Sequence, residues 1–426
     1  MIKKILFAFI LLSTSVIIAQ RNNSSPYSFF GLGEEFSSTT VEQSSMGGIG
    51  VAFKTDHYLN FINPAANANL RFATYGIGGL MTDLTLKESS GEQSGSATSL
   101  RYIALGFPIG DKAGFSAGLQ PQSSVGYALL NQKYDADDNL TEFTRFTGTG
   151  GTSRLYGAFG IEVLKGLSLG VEASFVFGTV DNDILNQREG LALGTKNEET
   201  TRVRGGLYKV GMQYQKELSN KLQLNAGVSV QLESNLTEKN QAYLYSLSFD
   251  GSGFEIPRDT LSASSTVTTF NIPLKTNLGV GLGKRDKWYA GVNYEFQDAL
   301  DNNSAIGSTY MYGESNKLAI GGFYLPKINS ISSYWNRITY RAGLRFEDTG
   351  LLVDGSGNGN NFTPIKDFGI NVGLGLPLGN RASNINIGLE YGQRGTTDNN
   401  LIQENYFNFR LSLSLNDIWF KKRQID

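Results

Sequence analysis

Between Asn405 and Asn416 apolar and polar side chains alternate without a fault. Phe407, Phe409, Leu411, Leu413 and Leu415 share one face, and Asn408, Arg410, Ser412, Ser414 and Asn416 share the other. Side chains on a strand alternate with a period of two, so the segment is greasy on one side and wet on the other. Units of this kind recur along the chain. A single one is an ordinary half-buried strand, whereas a long series behind a secretion signal predicts a barrel whose apolar face looks outward into lipid.

Fourteen such units are readable, at 75–86, 98–108, 113–130, 152–164, 167–181, 202–218 and 222–234, then 266–284, 287–298, 315–325, 337–347, 366–378, 383–393 and 404–416. The connections after even-numbered units are short (109–112, 165–166, 219–221, 285–286, 379–382), with 326–336 longer. Those after odd-numbered units are long (87–97, 131–151, 182–201, 235–265, 299–314, 348–365, 394–403). Short turns at one rim and long loops at the other are the signature of an outer-membrane barrel. A soluble sandwich also alternates, but at about 100 residues it is too small for this series. The fold class is therefore all-β, a fourteen-stranded antiparallel transmembrane β-barrel in a Gram-negative envelope. Trp288 and Trp335 flank short-turn connections and Trp419 follows the last unit, so all three fit one interfacial girdle.

Composition sets bounds on the chemistry. The chain has 426 residues, 51 Gly, no Cys and one His, with 37 Lys+Arg against 39 Asp+Glu. That balance leaves no footprint for nucleic acid. Beyond the N-terminus no apolar run is long enough for a spanning helix. At the N-terminus, Lys3 and Lys4 precede an apolar stretch over 5–18, and Ala19 is the expected last residue before signal cleavage. Domains are then expected at 1–19 (signal peptide), 20–74 (N-terminal hatch or plug), 75–416 (barrel) and 417–426 (periplasmic tail, with Lys421-Lys422-Arg423).

The region before the first unit carries YSFFGLG at 27–33. It continues with Met46-Gly47-Gly48-Ile49-Gly50-Val51-Ala52-Phe53 and Asn63-Pro64-Ala65. Its ~55 residues cannot form a sizeable core alone. With the looser FGINVGLGLP at 368–377, these motifs resemble the long-chain fatty-acid transporter (FadL-like) family and its Bacteroidota relatives. The resemblance implies a hatch inside the lumen that carries the motif residues Met46, Gly47, Gly48, Asn63, Pro64 and Ala65.

Pro121 interrupts the third unit, where a ladder donor is missing. The resemblance implies a kinked third strand with a lateral gap toward lipid. The plainer reading is a bulge that only shapes the wall. Pro273, early in the eighth unit, reads as a strand-end feature. On the polar faces stand Glu162, Glu172, Glu233, Glu295, Arg341, Arg345, Glu347, Asp367, Glu390 and Arg410. Of these, Glu162, Glu172, Arg341, Arg345, Asp367, Glu390 and Arg410 are candidates for lumen ion pairs that stabilise neighbouring strands or hold the hatch. No nucleophile–base arrangement points to an enzyme, and no cofactor is implied. Without Cys, His57 has no usual zinc set. The acidic loop 135–139 lacks the Gly and Glu of a calcium loop. The glycines at 279–283 alternate inside a strand with no helix to follow, so they imply no phosphate site.

Two functions follow. One is passive uptake of a small, hydrophobic solute through a hatch-gated lumen with lateral exit at Pro121. The other is a non-transporting accessory or scaffold subunit of an outer-membrane assembly or secretion complex. Outer-membrane lipid is a partner in both, a hydrophobic solute in the first, and other outer-membrane or periplasmic proteins in the second.

Overall fold

The computed structural model describes residues 23–89, 91–300, 309–379 and 383–418. The expected secretion signal, Trp419 and the cationic tail lie outside them. The described residues form fourteen antiparallel barrel strands. They are β1 (Ala73–Glu88), β2 (Gly91–Ile109), β3 (Ala113–Tyr134), β4 (Leu140–Leu164), β5 (Leu167–Arg188) and β6 (Gly194–Glu217). Next come β7 (Leu222–Gln231 and Ser234–Phe249), β8 (Glu255–Ile272 and Lys275–Lys284), β9 (Trp288–Gln297) and β10 (Tyr310–Tyr312 and Ser315–Tyr324). The series ends with β11 (Thr339–Val353), β12 (Thr363–Pro377), β13 (Asn384–Arg394) and β14 (Gln403–Asp417). β14 pairs with β1 from Gln403↔Lys87 to Asp417↔Ala73, which closes the barrel.

The burial pattern is that of a soluble protein turned inside out. On β14, Phe407 and Leu411 are 44% and 48% exposed, while Asn408 and Ser412 are 8% and 3% exposed. Apolar side chains on the outside are at home only in hydrocarbon, and pairing of the last strand with the first closes the sheet on itself in that medium.

Much of what the sequence marks as long loops is strand. The stretches 131–151, 182–201 and 235–265 continue the ladders of β3–β8, in pairs such as Lys133↔Glu142, Asp183↔Glu198 and Ser265↔Gln241. Beyond the bilayer both faces of a strand are wet, so alternation disappears although the hydrogen bonds persist. At ~3.3 Å per residue and a tilt near 40°, the 25 residues of β4 rise roughly 60 Å, against roughly 25 Å for the ten of β9. One side of the barrel is thus a tall wall.

Pro273 does not end β8 but interrupts it, between Ile272 and Lys275. The neighbouring β7 breaks at the same level, between Gln231 and Ser234. A residue without an N–H donor leaves one rung open, and both strands step across it.

Candidate functional site in the lumen

Residues 23–72 lie inside the barrel. Thr40 caps the short helix Val41–Ser44 through a reciprocal box with Gln43. The helix ends on Gly47 and Gly48, whose φ values of 75° and 91° only glycine adopts freely. Met46 is thereby turned into a buried cluster with Ile49, Tyr289 and Ala319. Asn63 caps the 3-10 turn Pro64–Asn69 by accepting a bond from the Ala65 amide. Its amide nitrogen donates to the carbonyls of Val51 (2.9 Å), Met212 (3.1 Å) and Val228 (3.2 Å). One side chain therefore joins two stretches of the segment to β6 and β7.

The wall is shaped to receive this segment. A methyl group at Gly114 would strike the Asn67 carbonyl, at Gly170 the Pro64–Ala65 peptide and at Gly211 the Asn63 amide. At Gly227 it would strike the Val51 carbonyl, and at Gly321 and Gly343 the backbone of Met46. Glycines at these inward positions of β3, β5, β6, β7, β10 and β11 let backbone lie directly on backbone.

Higher in the lumen, charge takes over from backbone contact. Arg345 contacts Asp367 and Glu390 (both 3.1 Å) and Glu347 (2.5 Å), and Arg410 closes on Glu390. Arg394 joins Asp367 (3.1 Å) to Glu34 of the N-terminal segment (2.7 Å). A second cluster sets Glu172 against Lys209 (3.3 Å) and Arg154 (3.8 Å), and Lys209 donates to the Phe61 carbonyl (3.0 Å). A third bridge, Lys275 to Glu35 (2.9 Å), again ties wall to segment.

Two of the sequence candidates stand apart. Glu162 caps its own turn by accepting from the Gly166 amide (2.7 Å). Arg341 donates to Asn386 (3.1 Å) and Tyr58 (3.3 Å), which are neutral partners. The reason is height, since both residues sit near the short-turn ends of their strands, below the acidic level. Arg394, Glu404, Arg154 and Lys209 were missed. Arg394 keeps the inward parity of Glu390 one residue beyond the thirteenth unit, and Glu404, with the parity of Asn408, opens the fourteenth, so the same alternation finds both.

The β2–β3 ladder runs only from Ile103↔Leu119 to Ile109↔Ala113. Above it β2 continues with β1 up to Glu88↔Gly91, and β3 continues with β4 up to Tyr134↔Leu140. The divergence begins at Pro121, where β3 carries a bulge opposite β4 between Pro121 and Ser123. The N-terminal segment sits across this opening. Glu34 and Glu35 pair with Ser124 and Ser123, and the Phe36 amide donates to Gln122 (2.9 Å). On the β2 side Ser24 donates to the Ser96 carbonyl (3.1 Å). Arg101 donates to the Ser37 carbonyl (3.0 Å) and lies over the Phe36 ring. The segment thus bonds to both edges of the gap.

Between the segment and the wall a cavity of about 410 Å³ is lined by Glu34, Gly48 and Ile62 of the segment and by Lys209, Phe270 and Arg410 of the wall, among others. Its charged groups are largely paired with one another, and Leu32, Leu207, Leu236, Phe270 and Ile272 give it an apolar side as well. At the short-turn rim, burial pushes the Lys54 amine down to about 8 while Glu162 partly opposes the shift. Lys54 donates to the Gly166 carbonyl (2.9 Å). Beside it, the His57 contact holds the Asp56 carboxyl down to about 2. Among the described residues no group of three or more His, Cys, Asp or Glu is placed to hold a metal ion.

The family model described as BamG matches residues 1–426. No curated protein matches the sequence. Among solved structures, a Pseudomonas aeruginosa FadL homologue superposes with a TM-score of 0.60 at 13% identity, covering 91% of this chain and 100% of that one. The P. putida toluene transporter TodX gives 0.59 at 15% identity, with coverage of 91% and 100%. The CymD monoaromatic hydrocarbon channel gives 0.54 at 13%, with coverage of 92% and 99%. At these identities the likeness is one of fold, the FadL-like outer-membrane barrel.

Proposed function

The chain belongs to the BamG family, and from that premise we propose that it works as a closed barrel, an accessory or scaffold subunit of an outer-membrane assembly or secretion complex. The observation that carries this reading is the fit of residues 23–72 to the wall. Inward glycines admit their backbone, and the Glu34–Arg394 and Glu35–Lys275 pairs tie them in higher up. In this reading residues 20–74 are a permanent plug, 75–416 the barrel and 417–426 a periplasmic tail. In this reading the chain is one of the Bacteroidota relatives that its motifs resemble. Affinity purification of the full chain from native outer membranes in mild detergent tests the proposal. Stoichiometric membrane or periplasmic partners are expected, and recovery of the barrel alone would overturn it.

One observation favours a second reading, passive uptake of a small hydrophobic solute with lateral exit. The β2–β3 ladder stops at Leu119, beside Pro121. Here residues 20–74 act as a movable hatch, and residues 23–38 swing off the gap to release solute into lipid. Two of the similar structures are described as a toluene transporter and a monoaromatic hydrocarbon channel. Toluene uptake by cells carrying Pro121→Val would then fall well below wild type. Uptake at the wild-type rate would remove the lateral route.

A further inference from the structure

The outer wall of the barrel is not evenly greasy. Across β7–β12, near the short-turn rim, it carries a recess of about 1040 Å³ with an almost wholly apolar lining. Register explains its shape. Ala290, Gly322 and Ala342 stand directly opposite one another on β9, β10 and β11, and all three face outward. One row nearer the rim, Trp288, Tyr324 and Tyr340 are aligned in the same way and form an aromatic ledge. One row further in, Val292, Ile320 and Leu344 form the opposite lip. Three small side chains between two rows of large ones leave a trough that runs across the strands. With ~3.3 Å per residue, its floor lies roughly 5–7 Å inside the ledge, at acyl-chain depth in the periplasmic leaflet.

The rim below the ledge is net cationic: the one carboxylate in its turn, Asp286, faces Arg285 (3.9 Å), which also pairs with Asp56 (3.0 Å). Lys284 is the outward partner of Trp288, Lys287 precedes it, and Arg337 opens the approach to β11. Among the described residues no carboxylate pairs with these three cations. Arg337 stacks on Tyr334 at 5.2 Å, and its Nε is buried without a hydrogen-bond partner. The turn that carries it is folded against the outer ledge. Tyr340 donates to the Trp335 carbonyl (3.2 Å), and Tyr334 donates to the Pro377 carbonyl (3.3 Å) at the end of β12.

We propose that this recess and rim form a binding site for one anionic phospholipid of the periplasmic leaflet, its acyl chain in the trough and its phosphodiester against Lys284, Lys287 and Arg337. An elongated apolar body with one anionic end complements both parts at once. A flat apolar neighbour such as a second barrel wall would bridge the trough without filling it and leave the cations unmatched. Arg suits a phosphate because its planar fork presents donors in matching geometry. The aromatic ledge lies at the headgroup boundary, where Trp and Tyr are favoured. The site concerns the outer wall, so it does not depend on whether the lumen is closed.

The test uses the full chain in phosphatidylcholine nanodiscs doped with phosphatidylglycerol, then released into mild detergent for native mass spectrometry. One retained phosphatidylglycerol per barrel is expected, in preference to phosphatidylcholine. Ala290→Leu with Ala342→Leu fills the trough at exposed, lipid-facing positions and should abolish that preference. Lys284→Gln, Lys287→Gln and Arg337→Gln should each weaken retention roughly fivefold, and they lie at or beyond the strand ends, where barrel closure is not at stake. Heat-modifiable migration on a gel verifies folding of every variant. Equal retention of the two lipids, or retention unmoved by both sets of variants, would overturn the site. So would loss of a protein partner from the trough-filling variant with lipid retention intact, which would make the recess a protein interface.

Discussion

Glu34, in the N-terminal segment, and Arg394, at the end of β13, meet at 2.7 Å, and Arg394 also contacts Asp367 and Glu404 of the neighbouring strands. The pair is therefore the point at which the segment enters the ion network of the wall. Glu34→Gln keeps the shape and removes the charge. The loss is about 1.5–3 kcal/mol for a charged hydrogen bond, and it falls on the docking of residues 23–38 rather than on closure of the barrel. Hydrogen exchange should accelerate in that stretch and stay unchanged in β11–β14. Uniform acceleration would show that the pair supports the barrel itself.

Gly227 tests the fit from the other side. Any side chain there meets the carbonyl of Val51. Gly227→Val should expel the segment locally while β7 keeps its ladder, because valine suits a strand. In planar bilayers the variant is expected to conduct ions where the parent does not. A silent Gly227→Val barrel, folded by heat-modifiability, would mean that the segment gives way without opening a path.

The Lys54 amine titrates near 8, below its ordinary 10.5, because burial disfavours the cation. The folded state therefore binds fewer protons than the unfolded state between pH 8 and 10.5. Across that window the contribution of Lys54 to stability rises with pH, and below pH 8 it is a constant penalty. Lys54→Met should remove the slope. The check is the difference between parent and variant unfolding midpoints from pH 7 to 10.5, which cancels the titration of the tyrosines. A parallel pair of curves would contradict the assignment.

Alternation made the barrel legible because lipid and lumen impose opposite demands on successive side chains. It lost the upper halves of β3–β8 because water on both faces imposes none, and stretches such as Glu142–Gly151 read as loop while hydrogen-bonding as ladder. Pro121 was visible as a missing donor, but the divergence of β2 was not. That depends on what pairs with Gly91–Tyr102, and residues 23–38, far away in sequence, take part. The ion network was half legible. Asp367 and Glu390 stand in clean alternation, whereas Arg394 sits at a strand end and Glu34 in an irregular segment without period.

The stretch from Asn63 to Asn69 offers a matched comparison within one turn. Asn63 is fully buried, and its amide nitrogen reaches three carbonyls on three separate stretches of chain. Asn69, at the other end, donates only to the Ala66 carbonyl within its own turn (3.2 Å). Asn63→Ala removes the cap from the Ala65 amide and leaves buried carbonyls with fewer donors, which costs about 1–3 kcal/mol. Asn69→Ala loses one local bond at a half-buried position, about 1 kcal/mol or less. Protease protection of residues 50–70 in the folded barrel should therefore drop markedly for Asn63→Ala and hardly for Asn69→Ala. Equal protection in the two variants would mean that the glycine-shaped wall, rather than the Asn63 bridge, holds the segment in place.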